Sequence, residues 1–235
     1  MPNKISVCMA TYNGEKYIYE QLASILSQLG GQDEVIVSDN GSTDKTLEIV
    51  KDFNDSRIHI IHFGAKKGPI WNFENALGHA TGDFIFLADQ DDIWESDRIE
   101  QAIPQLGKHI LTVCNCKIIN ASGDVSQEAT FFDLKKSGPG ILKNFVSNTF
   151  LGCCLGFKKD LLPKILPFPK DIPMHDWWIG LCASKYGETY FIEKPGISYR
   201  RHGQNASSAS EKSQSDVVDK FLFRFSLLKA LILKN

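Results

Sequence analysis

The chain has 235 residues, 43% of them hydrophobic, which suits one α/β domain with a sizeable core better than a domain with an appended subdomain. A net charge of −2 and a pI near 6.3, with no lysine or arginine run, exclude the electrostatic footprint of a nucleic-acid binder. Six cysteines without a C-x-x-C pair exclude zinc-ribbon and thioredoxin patterns; they read as reduced packing residues, with Cys153 set apart because it lies beside a candidate site.

The chain opens Met1-Pro2-Asn3-Lys4, without the basic stretch and apolar segment of a secretion signal, and reads as cytoplasmic. Short apolar runs then alternate with amphipathic stretches, which predicts successive βα units and a largely parallel sheet. The predicted strands are 5–10, 35–38, 58–62 and 84–88, and the predicted helices are 15–27, 42–53 and 70–80. Ligands of such sheets bind outside the carboxyl ends of the strands. Polar segments stand at three of those ends: Thr11-Tyr12-Asn13-Gly14, Asp39-Asn40-Gly41-Ser42 and Asp89-Gln90-Asp91-Asp92. In the second, Ser42 or Thr43 is placed to cap the following helix, whose amino end would face an anion, and Asp39 to accept hydrogen bonds from a nucleobase or ribose. No G-x-G-x-x-G follows the first strand and no P-loop lysine motif occurs, which argues against a dinucleotide dehydrogenase and a Walker-type NTPase.

The third segment carries most information. The apolar run Phe84-Ile85-Phe86-Leu87-Ala88 ends in three carboxylates within four positions, and groups so close repel one another unless a cation or hydrogen-bond donors compensate them. One reading is a solvated acidic turn. The other is a site for Mg²⁺ or Mn²⁺, held by one or two carboxylates while a substrate diphosphate completes the shell.

In the second half, Met174-His175-Asp176-Trp177-Trp178 follows Pro173 and predicts a helix start. Asp176 is either an N-cap beside two core tryptophans or a carboxylate made more basic by partial desolvation, with Trp177 and Trp178 offering flat surface to a sugar ring. Ser198-Tyr199-Arg200-Arg201-His202 ends a strand-like run and is either a solvated basic loop or a set of cations near an anion. Gly152 in Asn148-Thr149-Phe150-Leu151-Gly152-Cys153-Cys154 permits close backbone approach. His59, His62, His79 and His109 read as ordinary helix or strand residues. The stretch 216–234 carries apolar residues at helical spacing with interleaved lysine and arginine, after a linker-like 206–210. It is too interrupted by charge to span a bilayer and predicts a helix docked on the domain, on a second subunit or on a membrane surface.

Taken together, Ile5 to Gly14, Val37 to Asp44 and Leu87 to Trp94 resemble glycosyltransferase family 2, the inverting nucleotide-sugar enzymes of GT-A fold, and the Asp-Gln-Asp-Asp-Ile-Trp form is similar to its rhamnosyltransferase-like branch. The resemblance implies a nucleotide-sugar-binding half over 1–95, an acceptor-side half over 96–205, and a linker with helical tail over 206–235. It implies Thr11, Tyr12, Asn13 and Asp39 around the nucleobase and ribose, Asp89 near the ribose, Gln90 on the nucleotide sugar, and Arg201 and His202 near the donor diphosphate. Asp91 would hold Mn²⁺ or Mg²⁺, Asp176 would take the acceptor proton, and Gly152, Cys153, Trp177 and Trp178 would meet the acceptor. The donor implied is dTDP-rhamnose or a UDP-sugar, and the acceptor a saccharide, free or lipid-linked, in cell-surface polysaccharide synthesis. Two other classes stand beside this one. A catalytically silent nucleotide-binding scaffold would lack the metal or base carboxylate, and a sugar nucleotidyltransferase would need a glycine-rich basic loop in place of Thr11-Tyr12-Asn13-Gly14-Glu15.

Overall fold

The computed structural model of the chain describes residues 3–203 and 217–234. Its first half follows the predicted alternation: β1 (Ile5–Thr11), α1 (Ile18–Leu26), β2 (Glu34–Asp39), α2 (Thr46–Asp52), β3 (Ile58–His62), α3 (Pro69–Gly78) and β4 (Phe84–Asp89). A two-residue β5 (Ile93–Trp94), α4 (Arg98–Leu106), β6 (Leu111–Ile119), β7 (Val125–Gln127), α5 (Phe131–Lys135) and α6 (Ile141–Val146) follow. Then come β8 (Leu155–Lys158), α7 (Leu162–Ile165), α8 (His175–Tyr186), β9 (Thr189–Arg200) and α9 (Val217–Leu233).

The nine strands among the described residues form one sheet in the order β3-β2-β1-β4-β8-β6-β9-β5, with β7 added on β6. β3, β2, β1 and β4 are parallel, as expected of βα units. Beyond β4 the sheet departs from the expected parallel pattern, because β8 runs antiparallel to both β4 and β6. β1, β2 and β4 are buried along almost their whole length, since helices cover both faces, and α1 contributes Ile18, Leu22, Ile25 and Leu26 at helical spacing.

Two predicted boundaries move for reasons visible in hydrogen bonds. α1 begins at Ile18 rather than residue 15 because the Gly14 carbonyl closes a turn by accepting the Tyr17 and Ile18 N–H groups. α2 begins at Thr46 rather than residue 42, and neither Ser42 nor Thr43 caps it. The Ser42 hydroxyl donates to Asp39, the Thr43 N–H to Asn13, the Lys45 N–H to Glu15 and the Thr46 N–H to Asp44. At the amino end of α2, the Thr46 N–H is thus held by Asp44, and the loop before it is held by Asp39, Asn13 and Glu15.

α9 docks on the body of the protein. Leu227 and Leu231 are buried; Lys185 Nζ donates to the Leu231 and Lys234 carbonyls at 2.8 Å each, and Lys234 Nζ to the Leu166 carbonyl at 2.6 Å. The linker expected at 206–210 lies outside the described residues. No helix among the described residues is long and apolar enough to cross a membrane.

Candidate active site

Parallel register brings the three polar segments to one sheet edge: Thr11 stands opposite Asp39 and Ala10 opposite Asp89. Above that edge is a cavity of about 350 Å³. Of the residues singled out in the sequence, Thr11, Tyr12, Asp89, Gln90, Asp91, Gly152 and Asp176 line it. The loop after β1 is tied to the loop after β4 by a reciprocal pair, Tyr12 N–H donating to Gln90 Oε1 at 2.9 Å and Gln90 Nε2 to the Tyr12 carbonyl at 3.0 Å.

Asn13 and Asp39 lie beneath the lining. Asp39 is buried and accepts from the Gly41 and Ser42 N–H groups, the Ser42 hydroxyl at 2.5 Å and the Thr11 hydroxyl at 3.2 Å. The Thr11 hydroxyl stands equally near the Ser38 carbonyl, at 3.2 Å, and Asp39 shapes the loop through its bonds to Gly41 and Ser42. Asn13, at φ 48°, joins the first and second loops through Ser42 and Thr43.

The carboxylates after β4 divide by depth. Asp89 and Asp91 line the cavity, while Asp92 is fully buried and accepts the Arg200 N–H at 2.9 Å. Burial, reinforced by the charges of Asp91 and Asp176, pushes Asp89 up to about 7. Burial also raises Asp91, against the hydrogen bond and charge of His202. Burial is the largest cause of both shifts, and a divalent cation at this edge would add positive charge that favours the ionised carboxylates. Asp89, Asp92 and Cys153 place one ligand atom each within 4.8 Å of one another. That group suits Mg²⁺ or Mn²⁺ poorly, because Cys153 is buried, its thiol is held well above its ordinary range, and sulfur is a soft ligand. The cavity-facing oxygens of Asp89 and Asp91 are the better fit.

The end of β9 closes on this loop. His202 Nε2 sits 2.7 Å from Asp91 Oδ2, with its ring stacked on Tyr17. Arg200 is the inward arginine: it is buried, its Nε donates to the Asp91 carbonyl at 2.9 Å, and its guanidinium pairs with Glu20 at 2.6 Å. Arg201, just past the end of β9, donates its N–H to the Ile119 carbonyl at 2.8 Å, and its charge adds to burial in lowering the Lys135 ammonium.

Across the cavity, Asp176 occupies the first turn of α8. Met174 is the extended cap residue and makes no side-chain cap. Asp176 Oδ1 accepts the Trp177 N–H at 2.6 Å and meets Asn148 Nδ2 at 3.5 Å; burial outweighs these bonds and raises the carboxyl to about 6. The two tryptophans differ from the expected sugar platform. Trp178 is wholly buried with its indole N–H on the Ile165 carbonyl, and Trp177 is half-buried and fastened to the Asn144 carbonyl at 2.7 Å. Cys153 likewise has no exposed surface.

Lys67, Gly68 and Asn72 also line the cavity and were not found in the sequence, whereas Asn40 and His175 belong to segments it singled out. Asn72 holds the Thr11 carbonyl, and Lys67 and Gly68 come from a loop that reads as an ordinary surface turn. Asn40 folds that loop over the cavity by donating to the Phe63 and Lys66 carbonyls and accepting the Gly68 N–H. His175 lines the cavity stacked on Phe73 at 4.2 Å, and neither ring nitrogen has a hydrogen-bond partner among the described residues. A Cβ at Gly152 would lie 2.7 Å from His175 Nε2, which is why only glycine fits there.

Against known proteins, residues 6–166 match the family model for glycosyl transferase family 2. The chain belongs to that family. It is 32% identical over 229 residues to the dTDP-rhamnosyl transferase RfbG of Shigella flexneri, covering 86% of this chain and 74% of that one. It is also 33% identical over 155 residues to the UDP-Glc:alpha-D-GlcNAc-diphosphoundecaprenol beta-1,3-glucosyltransferase WfgD of Escherichia coli, covering 63% of this chain and 61% of that one. Among solved structures, S. aureus TarS 1–349 in complex with UDP-GlcNAc aligns with 98% of this chain and 66% of its own, at TM-score 0.71 and 22% identity. This glycosyltransferase chain thus has the GT-A fold, and it spans from about three fifths to three quarters of the length of these relatives.

Proposed function

We propose that this family 2 glycosyltransferase moves a sugar, with inversion, from a nucleoside-diphosphate sugar to a hydroxyl of a saccharide acceptor in cell-surface polysaccharide synthesis. The observation that carries the reading is the arrangement of one cavity: Asp89 and Asp91 on the nucleotide side face Asp176 on the other half of the chain. A dTDP-sugar, rhamnose in particular, is the favoured donor, supported by RfbG and by the Asp-Gln-Asp-Asp-Ile-Trp segment. A lipid-linked saccharide is the favoured acceptor, in line with the printed activity of WfgD.

Asp176 takes the proton of the attacking hydroxyl. With its carboxyl near 6 it is mostly ionised at neutral pH yet more basic than an ordinary aspartate, which suits a general base. Tyr12, Lys67 and Gly68 border the space for the nucleotide, while Thr11, Asn13, Asp39 and Gln90 shape its walls. Asp91, with Asp89, holds Mn²⁺ or Mg²⁺, and His202 orients Asp91 through the 2.7 Å contact. The ion, when bound, offsets charge on the departing diphosphate. Gly152, packed against the His175 ring, lines the acceptor side of the cavity.

The test separates binding from turnover. Asp176→Asn should keep dTDP or UDP affinity, measured calorimetrically with Mn²⁺, and lose transfer by roughly 10²–10⁴. Asp91→Ala should abolish the metal dependence of nucleotide binding. Transfer by Asp176→Asn within a fewfold of the parent would remove Asp176 as the base, and nucleotide binding unaffected by EDTA would remove the metal.

A further inference from the structure

α9 is held to the body by a narrow stripe of itself, and much of its apolar surface is left open. Leu227 and Leu231 are buried, but Phe225 is 59% and Ile232 65% exposed, with Leu228 also open. α6 lies alongside, since the Arg224 guanidinium donates to the Val146 carbonyl, and it adds Val146 and the 79% exposed Leu142. Neighbouring helices with this much exposed apolar surface mark a face that meets something other than water.

The charges on the face identify the occupant. Residues 141–146 and 222–234 contain Lys143, Arg224, Lys229 and Lys234 and not one aspartate or glutamate. We propose that the α6–α9 face seats on an anionic phospholipid bilayer. Phe225, Leu228, Ile232 and Leu142 enter the boundary between headgroups and acyl chains, while Lys143 and Lys229 meet lipid phosphates. A second copy of the chain is disfavoured at this face, because pairing it with itself sets cation against cation, and residues 141–146 and 222–234 hold no carboxylate to answer.

The position of the face gives it a use. α6 leads directly to Asn148, whose amide approaches Asp176, and the Asn144 carbonyl holds the Trp177 indole. A bilayer against α6 therefore lies on the Asp176 side of the cavity, where an acceptor anchored in lipid presents its hydroxyl. Membrane seating goes beyond the transfer reading and does not require it.

The full chain is floated with vesicles of phosphatidylglycerol and phosphatidylethanolamine, and with vesicles of phosphatidylcholine alone. It should rise with the anionic vesicles, fall off them as salt is raised, and ignore the neutral ones. Combining Leu142→Glu, Phe225→Glu and Leu228→Glu should cut the bound fraction about tenfold or more, with circular dichroism and nucleotide binding unchanged. The charge-reversed pair Lys143→Glu and Lys229→Glu, which leaves the apolar residues in place, should weaken binding in the same direction. A parent that stays in solution with anionic vesicles overturns the proposal, as does a triple variant that floats like the parent. So does a parent that is dimeric by light scattering, does not float, and becomes monomeric in the triple variant. Flotation that survives in a chain without donor hydrolysis supports the membrane face and counts against the transfer reading alone.

Discussion

Asp176 combines two demands that pull in opposite directions. Its carboxyl, raised by burial to about 6, binds a proton more tightly in the folded chain than in the unfolded one, where an aspartate titrates near ~3.9. Between those values the folded state holds the extra proton and gains stability; as pH rises through about 6 that gain is lost. Above it, ionised Asp176 costs the unliganded protein on the order of 2–3 kcal/mol. Asp176→Asn should therefore raise the melting temperature at pH 8 while slowing transfer by roughly 10²–10⁴, and the rise should vanish toward pH 4. A variant that melts at or below the parent at pH 8 contradicts the desolvated-base assignment. Transfer by the parent should itself decline as pH falls through about 6, as the base takes up its proton.

His175 shows the opposite sign. Burial pushes the imidazole down to about 3, so it stays neutral at working pH. Its unfolded counterpart charges below pH ~6.5, so this residue withdraws stability as pH drops from there toward 3. His175→Leu should unfold with a smaller loss of stability than the parent between pH 6.5 and 5, measured by urea titration. Equal slopes for the two proteins would show that the ring is not held neutral.

Among the elements, the loop over the nucleotide side depends on one side chain from another turn. Asn40 makes three hydrogen bonds to residues 63–68, the segment that carries Lys67 to the cavity. Asn40→Ala removes all three and should cost about 2–3 kcal/mol of stability, at roughly 1 kcal/mol for each bond. Nucleotide affinity should drop with it, because Lys67 and Gly68 lose their fixed position. Calorimetry showing parental nucleotide affinity in a destabilised Asn40→Ala would separate the loop from donor binding. Arg200 plays the corresponding part on the other edge, joining the end of β9 to Asp91, Asp92 and Glu20.

At the scale of the molecule, α9 is both part of the folded body and the bearer of an open face. Leu227 is wholly buried, and α9 packs on α8, whose first turn presents Asp176. Leu227→Ala should cost about 2–5 kcal/mol in unfolding free energy, the span for truncating a buried leucine. Its unfolding transition should remain single, since α9 belongs to the same core. Parental stability in Leu227→Ala would mean that α9 docks too loosely to count as part of the domain. Cutting the chain before α9 would then expose core and face together, which is why outward point substitutions are the cleaner probe of the membrane surface.

The sequence by itself determined the βα order of the first half, the strand ends that bear chemistry, and the two carboxylate groups at Asp91 and Asp176. These are local signals: an apolar run stopping at an acidic residue, or a carboxylate at a helix start after proline, is visible in a few consecutive letters. Only the tertiary structure decided which polar side chains face the cavity. Asp39 looks like Asp89 in one dimension, yet Asp39 is buried and held by donors of its own loop, while Asp89 lines the cavity. Arg200 turns inward onto Asp91, Asp92 and Glu20 because the phase of β9 is set by its pairing with β5 and β6. Lys67, Asn72 and His175 reach the site through contacts between segments tens to more than a hundred residues apart, and hydrophobic periodicity carries no record of such distances.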